Sequence, residues 1–406
     1  MTNDGKPALT PKLRFPEFRD AEGWEIGKVD ALVDTITPPK KLPTSHYASR
    51  GAFPIIDQSQ ANICGWTDDH EALIQGDLPL IIFGDHTCIL KLIDRPFAQG
   101  ADGIKILKSR QKVGTTYLYQ LLTFRPVVTQ EYKRHYSILK EKLVSFPDLN
   151  TGEQQKIADC LTSVDELIAA QARKVDALKG HKKGLMQQLF PREGETKPRL
   201  RFPDFEDVGE WGKKKLYELA DIQSGATPSK ANPEFWNGSI PWVSAKDMKR
   251  LFLEDAEDHI SATAIDDGAR LVPPGTLLVL TRGMTLLKDI PICFLRREMS
   301  FNQDVKGLRP KDGVDGLFLA WMLTGNKDRL LAMVDIAGHG TGKLDTDALK
   351  ALELCLPPPP EQQRIAECLA SLDDLIAAQI QKLDALKTHK KGLMQQLFPS
   401  ADEVEA

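Results

Sequence analysis

The sequence predicts an α+β fold: two mixed α/β globules, each followed by a long helix, with the helices paired as an antiparallel coiled coil about a pseudo-two-fold axis. Three observations predict it. The chain has 406 residues, too many for one ordinary domain. A 39-residue segment is written twice. Each copy carries apolar residues at coiled-coil spacing.

The repeat fixes the organisation. Residues 153–191 read EQQKIADCLTSVDELIAAQARKVDALKGHKKGLMQQLFP, and residues 361–399 match them with 9 differences. A shorter pair lies upstream: LRFPEF from Leu13 with Trp24 beyond it, and LRFPDF from Leu200 with Trp211 beyond it. Both halves therefore keep the order entry motif, variable stretch, EQQ segment. The variable stretches share little identity. A duplication without functional meaning explains divergent middles. Near-identical EQQ segments ask for more, because many sequences make a helix; both copies must meet the same kind of partner, or each other.

In chain order the expected elements are a globule at 1–151, a helix at 152–191, a globule at 192–356, a helix at 357–399 and an acidic tail at 400–406. Positions 157, 161, 164, 168, 171, 175, 178, 182, 185 and 189 alternate by four and three, and eight of the ten are apolar; the exceptions are Gln171 and Lys182. The matching positions of the second copy, 365 to 397, are again apolar except Gln379 and Lys390. Thr151-Gly152 and the run Pro357 to Pro360 set the starts, and Pro191 and Pro399 the stops. Isolated helices of this length are marginal, so the seams are expected to pack on each other. The symmetric antiparallel register sets Gln171 opposite Leu383 and Val175 opposite Gln379.

Composition narrows the class. Net charge is −4, apolar residues make up 41 % and charged residues 27 %, so a disordered chain and a histone-like basic protein are excluded. No apolar run approaches the roughly 20 residues that span a bilayer. The first residues lack the apolar core of a signal peptide, so a cytoplasmic location is expected. The six cysteines are scattered without a CxxC, which fits reduced structural thiols and neither a disulfide scaffold nor a zinc site.

At this point the residues resemble a known family. The order LRFPEF…Trp24, variable domain, EQQKIA…LKGHKKGLMQQLF, then the same again, is similar to the specificity subunit of type I restriction–modification enzymes. SGATPSKANPEFWNGSIPWVSAKDM (224–248) and FNQDVKGLRP (301–310) resemble segments of its target-recognition domains, and IIFGDHTCILKLIDRPFAQGADGIKIL (81–107) resembles another branch of them. The resemblance runs from about residue 12 to 399. It implies that each variable domain reads one half of a split double-stranded DNA site. It further implies that the helices act as spacer and dock two modification (methyltransferase) subunits, and that restriction (nuclease and translocase) subunits join. The specificity subunit itself would do no chemistry, need no cofactor and touch no membrane. The rival from another class is a coiled-coil scaffold without DNA specificity. A third reading, a complete single-chain restriction enzyme, lacks its motifs.

Asn232-Pro233-Glu234-Phe235 imitates an adenine methyltransferase motif, but Glu234 spoils it and no Gly-rich cofactor loop is present. Gly338 to Leu344 imitates a phosphate-binding loop, but Ala337 stands where the first glycine belongs and Leu344 where the hydroxyl belongs. A plain surface loop is the first expectation, and a flexible loop bringing Lys343 near a phosphate the sharper alternative. Glu131-Tyr132-Lys133 supplies only part of a nuclease constellation. His86 and His339 stand alone, without metal-ligand spacing. No catalytic residue and no metal ligand is therefore expected.

Charge counted locally points to DNA. Residues 103–142 hold nine Lys or Arg against two acids, with five aromatics interleaved; residues 270–311 hold eight against three. Residues 251–269 just before them hold six acids and no Lys or Arg. Cations pair with phosphates and amides read base edges. The DNA candidates are Lys133, Arg134 and Tyr136 in the first domain, and Lys230, Lys246, Arg282, Gln303 and Lys343 in the second. Gln99 (FAQG) and Gln303 (FNQD) are expected in similar settings, the plainer alternative being that each only braces a turn. His181, Lys183 and Gln187, recurring as His389, Lys391 and Gln395, are the partner-binding candidates; the plainer alternative is a solvated helix face.

Overall fold

The computed structural model describes residues 9–101, 103–128, 134–336, 340–400 and 404. They form two compact units: residues 1–173 with 380–406, and residues 174–379.

The first unit holds two four-stranded sheets. One runs in the order Val33–Ile36, Ile104–Ser109, Leu80–Gly84, Leu90–Ile93 and is antiparallel throughout. The other runs Gly65–Thr67, Phe53–Ile56, Phe97–Gln99, Leu73–Ile74, with its central pair parallel. The run Leu80-Ile81-Ile82-Phe83 is apolar at every position because both its faces are covered. Ile81 and Phe83 pack against the helix Thr115–Phe124, whereas Leu80 and Ile82 pack with Ile56, Ile74 and Phe97 from the second sheet.

The second unit repeats this plan with a different sequence. Its larger sheet runs Ala220–Ser224, Val305–Pro310, Leu277–Leu280, Ile292–Leu295, Phe252–Leu253. Its smaller one runs Asp258–Ile260, Ile240–Val243, Met299–Phe301, Leu271–Val272, again with a parallel central pair. The helix Gly316–Gly325 covers the larger sheet as Thr115–Phe124 does in the first unit. A three-stranded ribbon of Arg282–Gly283, Gly342–Leu344 and Val334–Ile336 is an addition.

The repeated motifs are latches. In the first unit Arg14 of LRFPEF grips Glu153 with two bonds, Nε to Oε1 at 2.8 Å and Nη2 to Oε2 at 2.7 Å. In the second, Arg201 grips Glu361 at 2.7 and 2.6 Å. The next residue, Gln154, accepts from the Gly114 N–H and donates to the carbonyls of Lys112 and Pro147. Gln362 repeats this with the Asp315 N–H and the carbonyls of Gly313 and Pro357. A carboxylate and an amide are both required here, which accounts for the strict EQ spelling. The acidic group also suits a helix N-terminus.

The long helices span Glu153–Leu189 and Pro359–Leu397, stopping just before Pro191 and Pro399 as expected. None of the twenty expected seam positions is exposed. Each unit contains the early part of one helix and the late part of the other. In the first unit Leu161 joins a core containing Met394 and Leu397, and Lys390 Nζ reaches both oxygens of Asp165 at 2.7 and 2.6 Å. In the second unit Lys182 bonds Asp373 and lies 4.0 Å from the centroid of the Trp321 ring. Both ion pairs join positions whose numbers add to 555, so the pairing is antiparallel in each unit, in the expected sense. They also explain the two lysines that interrupted the apolar pattern: each turns inward because an aspartate on the facing helix receives it.

Candidate nucleic-acid interface

The equivalent sheets give equivalent surface positions. Strand registers align Lys105, second in Ile104–Ser109, with Lys306, second in Val305–Pro310. Each is half-buried near the start of a strand whose neighbouring positions are buried.

In the second unit Lys306 Nζ donates to Ser224 Oγ at 2.6 Å. Its pKa lies below the usual lysine range, first because of burial and then because Lys350 and Arg282 are near; Asp304 acts in the opposite sense. Arg282 faces Lys343 across the ribbon ladder. Thr281, before Arg282, donates twice to the Asp304 carbonyl and accepts from the Leu344 N–H. Gln303, before Asp304, is exposed and bonds the Thr227 hydroxyl. The structure thus brings Arg282, Gln303 and Lys343 together, with Lys306, Ser224 and Thr227.

Lys343 is not on a flexible loop. It sits in the strand Gly342–Leu344, and Gly342 is required there because a Cβ would stand 2.7 Å from Leu286 Cβ. Gly338 and His339 lie outside the described residues. Lys230 is exposed beside the turn Pro233–Trp236, where Asn232 Oδ1 accepts from the Glu234 N–H; that is the structural role of the Asn-Pro-Glu-Phe string. Trp236 and Trp242 pack edge to face and hold this turn. Lys246 stands apart from the group: Glu257 at 3.2 Å and Asp258 at 2.9 Å take its charge, and its pKa is raised by Asp258 first. The acidic stretch noted in the sequence supplies those partners.

In the first unit Lys133 lies outside the described residues, as does the rest of Glu131-Tyr132-Lys133. Arg134 is exposed. Tyr136 begins the helix Tyr136–Glu141; its N–H donates to Asp85 Oδ1, and its hydroxyl shares a 2.7 Å bond with Thr35 Oγ1. The Lys105 ammonium lies 5.4 Å from the centre of its ring. Four of the nine cations of residues 103–142 are spent on ion pairs elsewhere in the unit: Lys108 with Asp77, Arg110 with Asp34, Lys112 with Glu25, Lys140 with Asp30. The positive stretch is therefore weaker than its count. Gln99 and Gln303 are not in similar settings. Gln99 is buried in the strand Phe97–Gln99, while Gln303 lies two residues past the equivalent strand.

Sequence reasoning did not single out Lys105, Lys306 or Thr35. The signal available was the alternation Ile-Lys-Ile and Val-Lys-Gly at a strand start. On the helices, His181, Lys183, Gln187, His389, Lys391 and Gln395 are all exposed. Leu167 and Leu375, matched positions of the two copies, are exposed as well, and the sequence reading passed over them. Among the described residues no group of three His, Cys, Asp or Glu is placed to hold a metal ion. No described helix is long and apolar enough to cross a membrane.

Comparison with known proteins gives one consistent answer. Residues 209–388 match the family described as the type I restriction modification DNA specificity domain. The specificity subunit of the Escherichia coli type I restriction enzyme EcoR124I/EcoR124II is 27 % identical over 343 residues, covering 81 % of each chain. The MjaIX specificity subunit of Methanocaldococcus jannaschii is 31 % identical over 182 residues, covering 42 % of this chain and 40 % of its own. Among solved structures, the S subunit of a type I restriction–modification system from M. genitalium superposes with a TM-score of 0.62 at 16 % identity, over 97 % of this chain and all of that one. A chain from a structural study of type I complex assembly and conformational transition gives 0.54 at 17 % identity, over 93 % and 98 %.

Proposed function

We propose that the chain is a DNA specificity subunit of a type I restriction–modification system, and that its parts divide the work as follows. Residues 1–151 and 192–356 are two target-recognition domains, each reading one half of a bipartite DNA site. Residues 152–191 and 357–399 are the spacer helices, and 400–406 an acidic tail. The exposed row of His181, Lys183 and Gln187, with its copy His389, Lys391 and Gln395, docks two modification subunits; restriction subunits join that assembly. The chain carries no bond-making step of its own, and it works in the cytoplasm, where the DNA is. A scaffold without DNA specificity is not favoured.

The observation that carries this reading is one fold built twice with two different surfaces. The latches and helix seams are the same in both units, while the groups around the equivalent lysines differ: Thr35 and Tyr136 beside Lys105, Ser224 and Arg282 beside Lys306. A device that reads two different half-sites through one common mount needs that combination. In this reading Arg134, Lys230, Arg282, Lys306 and Lys343 hold phosphates, and Gln303 and Tyr136 contact bases. Lys133 belongs with the phosphate group by its charge. Lys246 contributes least, since two carboxylates already hold it.

The test is selection from random duplex DNA by the chain mixed with its modification subunits, at low salt. Enrichment of a split sequence is expected. Enrichment of no sequence would overturn the reading. Methyl transfer by the chain alone, with S-adenosylmethionine present, should be absent; transfer would overturn the non-catalytic assignment.

A further inference from the structure

In the second unit the chain passes from strand Leu277–Leu280 to strand Ile292–Leu295 through Thr281-Arg282-Gly283-Met284-Thr285-Leu286-Leu287-Lys288. Leu286 is fully buried and anchors this turn against Gly342. The Lys288 and Asp289 N–H groups both donate to the Thr285 carbonyl and close it. Gly283 takes φ +146°, a conformation that L side chains rarely adopt. The anchored turn holds Met284 outward at 63 % exposure and Leu287 at 40 %. Ile336, in the same ladder row as Gly342 and Gly283, is 73 % exposed.

Single exposed apolar residues are ordinary, but a group of them on a rigid turn is a binding feature. Cations bound this one: Arg282 precedes it, Lys288 follows it and Lys343 stands beside Arg282. Of the nearby acids, Asp289 is held by Lys327 at 2.9 and 3.1 Å, and Asp335 occupies the far end of the Arg282–Lys343 row. An apolar centre with a cationic rim matches a ligand that offers apolar faces between anions. Duplex DNA offers that where a base step opens, its ring faces lying between two phosphate strands. The corresponding turn of the first unit, Asp85-His86-Thr87-Cys88, is different. It carries no exposed large apolar side chain, and Thr87 is tied to the Gln58 carbonyl.

We propose that the Met284–Leu287 turn is an apolar wedge that enters an opened base step in the half-site read by residues 192–356, with Arg282 and Lys343 on the adjoining phosphates. This rests on the DNA-reading function above and adds a mode to it: the second half-site is recognised partly by how readily it opens, the first by contacts alone.

The experiment uses the chain with its modification subunits on the DNA it selects. A fluorescent base analogue, 2-aminopurine or pyrrolocytosine, is placed in turn through the second half-site. Binding of the wild-type complex should raise fluorescence at one step. The double variant Met284→Ser/Leu287→Ser should abolish the rise and weaken binding about tenfold with an unchanged salt slope, since no phosphate contact is lost. Met284→Leu should keep the rise. Arg282→Ala should instead reduce the salt slope by about one. No rise at any position, or a rise that survives in the double variant, overturns the wedge alone. Loss of the modification subunits from the double variant also overturns it and assigns the turn to protein docking. A wild-type complex that selects no DNA overturns the DNA reading, and the wedge with it.

Discussion

Arg14 and Arg201 each lay a guanidinium fork on the glutamate that opens or nearly opens a long helix, and both pairs are almost wholly buried. Removing one partner of such a pair strands a buried charge, at a cost of about 3–5 kcal/mol. Arg201→Leu should therefore lower the urea-unfolding free energy by about 3 kcal/mol, and a change under about 1 kcal/mol would show that the latch is not a stability element. Cys293 behaves in the opposite way. Burial pushes its thiol up to about 12, and its Sγ–H donates to the Arg250 carbonyl. At pH 8 it stays protonated and unreactive, so alkylation of the native protein should leave it unmodified at least about a hundredfold longer than in urea. At this scale the sequence was a partial guide. It pointed to Arg282, Gln303 and Lys343, which do come together, but it also pointed to Lys246, because a lysine's charge can be read along the chain and its ion-pair partners across strands cannot. Lys105 and Lys306 were missed for the related reason that the side chains packed around a half-buried strand lysine come from other elements.

The helices were the most legible elements, because a heptad pattern reports burial directly and duplication reports it twice. The ends followed from proline and glycine. What the pattern could not explain was a lysine in each seam, since the aspartates that receive them lie on the other helix and off its apolar row. Charge reversal tests this pairing. Asp165→Lys alone should cost about 2 kcal/mol, and adding Lys390→Asp should recover at least half of it in a double-mutant cycle. Recovery of nothing would separate the two residues energetically. The recognition sheets were less legible. Leu80–Gly84 and Leu277–Leu280 are core strands in the same place with unlike neighbours, because a strand covered on both faces needs apolar volume and accepts many sequences that supply it. The common fold of the two middles is thus carried by pattern and volume, below the level at which residue identity reveals it.

For the whole molecule, the division of labour predicts a modular response. Exchange of residues 30–145 for those of a relative should change one half of the selected DNA site and leave the other intact; a change in both halves would contradict independent readers. Fold class and function were legible at this scale because the repeated segments are long and specific. Net charge was not a guide, since half of the cations of residues 103–142 that the structure describes are already held in ion pairs within their own unit. The Arg–Glu latches bear on inheritance as well as stability. Because each latch joins an entry motif to an EQQ motif of fixed spelling, any variable segment carried between those two motifs arrives with both halves of its own fastening. Genetic exchange with breakpoints in the repeats can then replace a whole reader in frame, and a lineage can acquire a new DNA address without redesigning the mount.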